Sequence, residues 1–190
     1  MKYFFDTEFR EDGHTIDLIS IGIVAEDGRE FYAINEEANW HKIIHDPWLR
    51  ENVVPHLPME VREHPLLGER TPYYFIYEKS QPELWDTKLG IKDDILAFVD
   101  DKPEFWAYYA DYDWVVFCQL FGRMIDLPKG FPMYCRDLKQ EIDRLGIKDH
   151  VALKAKQQDQ HNALADARWV KKAYEYAQRY ANSKDLSDGF

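Results

Sequence analysis

A chain of 190 residues that is 45% apolar and 15% aromatic carries enough hydrophobic material for a packed core and is not disordered. Its formal charge of −11 disfavours a long duplex-binding track, which is normally basic, yet leaves room for a protein that grips only a strand end. No apolar run approaches the roughly 18 residues of a membrane span, the first residues lack a signal peptide's pattern, and the only cysteines are Cys118 and Cys135, so the composition points to a reducing cytoplasm.

In chain order, Lys2–Phe5, Ile16–Ala25 and Arg29–Ile34 read as strands rich in β-branched and aromatic residues. The turn signals Glu11-Asp12-Gly13 and Glu26-Asp27-Gly28 separate them, which implies an antiparallel meander. After Pro47 the signals become helical around Trp48, Val53 and Leu57, punctuated by Pro55, Pro58 and Pro65. The stretch 66–82 has no clean period and reads as an irregular excursion whose aromatics, Tyr73, Tyr74, Phe75 and Tyr77, suit core or dimer packing. Ile91–Val99 then reads as a helix, Glu104–Ala110 as a buried strand and Trp114–Phe121 as a helix. Asp137–Leu145 is helical and stopped by Gly146, and Asn162–Tyr180 is a long closing helix. No repeat or interdomain linker interrupts the chain, so the expectation is one domain over 1–190. Strands followed by alternating helices give an α/β class, a mixed sheet flanked by helices.

The chemistry concentrates at a few acids. Asp6 and Glu8 form the only Asp-x-Glu in the chain, and two residues apart on a strand they point to the same side. Desolvated together they repel, and a bound divalent cation is the usual relief. Asp113 follows the apolar strand, where an acid capping the next helix is the plainer reading. Asp166 sits beside the small residues of the closing helix and His161 lies at its start, where a structural histidine capping the helix competes with a catalytic one. As a set, four carboxylates and one imidazole fit a site for two hard cations, Mg²⁺ or Mn²⁺ rather than zinc. Such a pair, about 3.5–4 Å apart, activates a water and stabilises the leaving oxygen of a phosphodiester. The imidazole would take the water's proton.

These motifs resemble those of the DEDDh 3′–5′ exonucleases, a family that includes oligoribonuclease and RNase T. The first motif is Asp6-Thr7-Glu8 followed by Asp17-Leu18-Ile19-Ser20-Ile21-Gly22, the second is Tyr112-Asp113, and the third is His161-x-Ala163-x-x-Asp166. Tyr109 departs from the pattern, which has Asn four residues before the second-motif Asp. A nearer resemblance, carried by Tyr3 to Phe9, by Ser20 to Glu30 and by Cys118-Gln119-Leu120, is to the bacterial RNase AS group acting on adenylate-rich 3′ ends. The resemblance implies a ribonuclease H-like fold, a homodimer, and a metal-dependent exoribonuclease working on single-stranded RNA 3′ ends. It implies Asp6, Glu8, Asp113 and Asp166 as metal ligands and His161 with Glu8 as catalytic residues. Thr7 and Phe9, interleaved with the first-motif acids, are the candidate nucleotide contacts. The same chemistry on single-stranded DNA or very short oligonucleotides is the alternative, and a catalytically silent binding module is a third.

Overall fold

The computed structural model describes residues 1–63, 75–148 and 160–187. A six-stranded mixed sheet carries the fold, in the order β6-β3-β2-β1-β7-β8. Strands β1 (Lys2–Glu11), β2 (Ile16–Ala25) and β3 (Glu30–Asn35) form the antiparallel meander, with Tyr3 opposite Ala25 and Ser20 opposite Ile34. Strand β7 (Glu104–Ala107) adds parallel to β1, and the two-residue strands β6 (Trp85–Asp86) and β8 (Arg136–Asp137) close the edges in parallel. A separate antiparallel hairpin pairs β4 (Met59–Glu63) with β5 (Phe75–Lys79).

β1 is flanked by strands on both sides and covered on both faces, which is why its opening residues read as a continuous apolar run rather than an alternation. Tyr3 and Phe5 join the cluster formed with helices α3 (Lys88–Phe98) and α4 (Asp111–Gln119). Phe4 points to the opposite face and packs with α5 (Leu138–Leu145) and the closing helix Ala163–Ser187. A third cluster seats α1 (Trp40–His45) and α2 (Pro47–Asn52) against Ile19 and Ile34. The closing helix buries Ala163, Ala167, Val170, Ala173 and Ala177, and this stripe of mostly small side chains at helical spacing lets its backbone run close to the sheet. Contact is tightest at Gly22 of β2, where a Cβ would stand 2.4 Å from the Ala163 carbonyl oxygen and the Leu164 backbone.

Several expectations shift. β1 runs six residues beyond Phe5, so Asp6 and Glu8 lie within the strand, not past its end. The strand expected to reach Ala110 stops at Ala107, and Tyr109 turns the chain with φ 60. α4 begins three residues earlier than expected, which places Asp113 inside the helix; the N-cap position belongs to Ala110. The stretch read as irregular contains β5 and a 3₁₀ turn at Pro82–Leu84; residues 66–74 lie outside those described. Gly146 ends α5 as expected, in the left-handed conformation that glycine adopts without penalty. Among the described residues no helix is long and apolar enough to cross a membrane.

Candidate active site

Residue parity along β1 divides the site between the two faces of the sheet. Asp6 and Glu8 continue the face begun by Phe4, toward the closing helix, while Thr7 lies on the face of α4. The closing helix, drawn onto Gly22, delivers Asp166 from its first turn to the same corner. Carboxylate oxygens of Asp6, Glu8 and Asp166 all come within 4.8 Å of one another, a spacing that suits a divalent cation. Asp113 lines the same cleft but stands outside this cluster. Its Oδ1 accepts the Thr7 backbone N–H at 2.9 Å and the Thr7 hydroxyl at 2.5 Å.

The electrostatics match a site built to hold positive charge. Glu8 is only 7% exposed, and burial together with the Asp166 and Asp113 charges pushes its carboxyl up to about 8. Burial pushes Asp113 up to about 6 against the pull of the two Thr7 hydrogen bonds. Acids that hold their protons this tightly when metal-free are acids that a cation would relieve.

His161 has φ 67, a left-handed backbone that costs energy for a residue with a side chain. Its backbone N–H donates to Asp166 Oδ2 at 2.9 Å, which ties the histidine to the acid five residues on. The capping that the competing reading gives to His161 falls to its neighbour: Asn162 Oδ1 accepts from Ala165 N–H at 3.0 Å, and the Asn162 side chain donates to the His56 carbonyl. The imidazole is half-buried, with the indole of Trp48 edge-on at 5.1 Å.

The cleft has a volume of about 580 Å³, and no Lys or Arg is among the described residues that line it. Its walls are instead aromatic, with Trp48, Tyr109 and Tyr112 more than half exposed and Phe9 stacked obliquely on Tyr112 at 5.7 Å. Thr7 and Phe9 both line it, although the Thr7 hydroxyl and N–H are committed to Asp113. Trp48 escaped the sequence reading because it looked like one more helical apolar residue. The available signal was Asp46-Pro47 before it: Asp46 Oδ1 accepts from the N–H groups of Trp48 and Leu49 and caps α2, so Trp48 sits at the helix's exposed first turn. Tyr109 was visible only as a departure from the motif. The Asp137 carboxylate fixes the turn around it by accepting Ala110 N–H at 3.1 Å.

Residues 74–178 match the 3′–5′ exoribonuclease Rv2179c-like domain. Two proteins of Mycobacterium tuberculosis, 3′–5′ exoribonuclease Rv2179c and 3′–5′ exoribonuclease MT2234.1, are each 38% identical to this chain over 172 residues, covering 88% of it and 88% of their own length. By these matches the chain belongs to the Rv2179c-like 3′–5′ exoribonuclease family.

Proposed function

We propose that this chain is a metal-dependent 3′–5′ exoribonuclease of ribonuclease H-like fold, a single catalytic domain that releases nucleoside 5′-monophosphates from single-stranded RNA. The observation that carries this reading is the set of carboxylates from β1, α4 and the closing helix meeting in a cleft lined by no described Lys or Arg. A phosphodiester entering such a cleft needs cations that its described side chains do not provide. Asp6, Glu8 and Asp166 would hold one divalent ion, Mg²⁺ or Mn²⁺, and Asp113 is the carboxylate left for a second. Bound there, the ions supply Lewis-acid stabilisation of the phosphoryl charge and ease deprotonation of a water.

The chain's own residues do the rest. Thr7 fixes the Asp113 carboxylate, and the strand and helix backbones fix the other three acids, so the cluster is assembled before substrate arrives. A neutral His161 imidazole accepts the proton of the water that attacks phosphorus. The P–O3′ bond breaks, the 3′-oxygen of the shortened strand takes up a proton from solvent, and the terminal nucleotide leaves as its 5′-monophosphate. Trp48, Tyr109 and Tyr112 offer faces on which unpaired bases stack, a grip that a duplex end would have to fray to use. The relatives are named as exoribonucleases, which supports RNA over DNA; adenylate-rich 3′ ends and a homodimer follow the motifs' resemblance to the RNase AS group, and a cytoplasmic setting follows the composition.

The test incubates the purified protein with 5′-labelled single-stranded RNA and DNA of matched sequence, with Mg²⁺, Mn²⁺ or EDTA. Stepwise shortening of RNA from the 3′ end, abolished by EDTA and by Asp6→Asn, is expected. Internal cleavage, or shortening that survives EDTA, overturns the proposal.

A further inference from the structure

The sheet face that carries Asp6 and Glu8 continues into polar groups that the mechanism above does not use. Glu8 stands opposite Ser20 on β2, and Gly22 opposite Tyr32 on β3, so Glu8, Ser20 and Tyr32 project from one face of three adjacent strands. Opposed Cβ atoms in an antiparallel pair lie about 4.5–5.5 Å apart, and a diagonal neighbour about 7–8 Å away is within reach of an aromatic side chain. The start of the closing helix, pressed on Gly22, roofs this corner.

Ser20 is fully buried, and neither its Oγ nor the Tyr32 hydroxyl makes a well-formed hydrogen bond among the described residues. Buried hydroxyls without partners are uncommon and require an account. The Glu8 carboxylate stands opposite Ser20 on the neighbouring strand and receives no hydrogen bond from any described residue. Burial and the Glu8 charge hold the Tyr32 phenol up to about 12, so it remains a donor at any working pH. The Ser20 hydroxyl and the Asn162 side chain lie beside that phenol, and the Asn162 amide already serves Ala165 and His56.

Two neighbouring buried hydroxyls, with no well-formed hydrogen bond among the described residues, therefore stand behind a buried carboxylate that accepts from none of them. We infer that Ser20 and Tyr32 are positioning residues whose hydroxyls donate to the ionised Glu8 carboxylate from the sheet side, fixing its rotamer so that the cleft-side oxygen is presented to the cation. This rests on the reading of Glu8 as a metal ligand. Hydrogen bonds to a carboxylate are charge-assisted and directional, and groups that orient a metal ligand govern affinity as the ligand itself does.

The experiment measures Mn²⁺ affinity by calorimetry, metal-free melting temperature and single-turnover rate for wild type, Ser20→Ala, Tyr32→Phe, the double variant and Glu8→Gln. Each single variant is expected to weaken Mn²⁺ binding by about tenfold, at the lower end of the roughly 10–100-fold range for such orienting groups. The rate at limiting Mn²⁺ falls in parallel and KM for RNA does not move. The metal-free melting temperature stays level or rises, because each change removes an unsatisfied buried hydroxyl. Wild-type Mn²⁺ affinity in the double variant overturns the inference, and so does a lowered metal-free melting temperature with affinity intact, which marks a packing role. Glu8→Gln separates the two readings: if it binds Mn²⁺ as tightly as wild type, the assignment of Glu8 as a ligand fails and this inference fails with it.

Discussion

Gly22→Ala is the sharpest test of how the site is assembled. The backbone at Gly22 is ordinary strand, so alanine is barred by space alone. Its Cβ would lie 2.4 Å from the Ala163 carbonyl oxygen and from the Leu164 N and Cα, against roughly 3.5–4.0 Å for ordinary contact. Relief requires the start of the closing helix to withdraw by about 1 Å, and overpacking of this kind costs about 1–3 kcal/mol. His161 and Asp166 travel with it, since the His161 N–H is bonded to the Asp166 carboxylate. Asp6 and Glu8, anchored in β1, stay behind, so the 4.8 Å cluster opens. A misplacement of about 1 Å costs about 10²-fold in rate. Turnover, Mn²⁺ affinity and melting temperature measured on one sample should all fall. Because the three contacted atoms are backbone, trimming Leu164 to Ala should restore nothing. A Gly22→Ala enzyme with wild-type melting temperature and turnover within about threefold of wild type would refute the close approach and the assembly argument built on it.

The remaining predictions concern charge and protons. Glu8 holds its proton up to about 8 when folded and metal-free, against 4.5 in the unfolded chain, so between these pH values the unfolded state binds fewer protons and stability falls as pH rises. At about 1.4 kcal/mol per tenfold in affinity this amounts to at most about 5 kcal/mol; melting curves from pH 4.5 to 8 should therefore show a decline that Glu8→Gln flattens, that Mg²⁺ reverses, and to which Asp113 adds in the same direction. His161→Ala should lose about 10²–10⁴-fold in single-turnover rate while keeping Mn²⁺ affinity and, because Asn162 supplies the helix cap, melting temperature; a normal rate removes His161 from proton transfer. With no Lys or Arg described in the cleft, KM for a short RNA should rise by less than about threefold between about 50 and 200 mM KCl, as expected for at most one phosphate ion pair, and a steeper rise would mean that basic residues elsewhere hold the strand. Trp48→Ala should raise KM more than it lowers the single-turnover rate, which fluorescence titration with a phosphorothioate RNA can check, and an unchanged KM would remove Trp48 from the grip.

The mixed sheet, its antiparallel meander and the five motif residues were legible in the chain because each leaves a local trace. β2 is Ile16–Ala25 as expected, since a strand covered on both faces is dominated by apolar residues, here Leu18, Ile19, Ile21, Ile23 and Val24, and bounded by turn residues. Spacing two on a strand was enough to put Asp6 and Glu8 on one side. The parallel edge strands β6 and β8 left no such trace: two residues have no period, and their pairing is decided by what lies beside them. Whether Asp113 caps a helix or enters a cleft was likewise undecidable locally, because it depends on Thr7, 106 residues away. Tertiary structure also separated Asp113 from the three clustered acids, made Gly22 a contact point, and set Ser20 and Tyr32 behind Glu8. Sequence fixes which side chains a strand or helix presents through its repeat. Distance, burial and proton affinity arise only where elements remote in the chain exclude water from one another, and that is where this cleft acquires its chemistry.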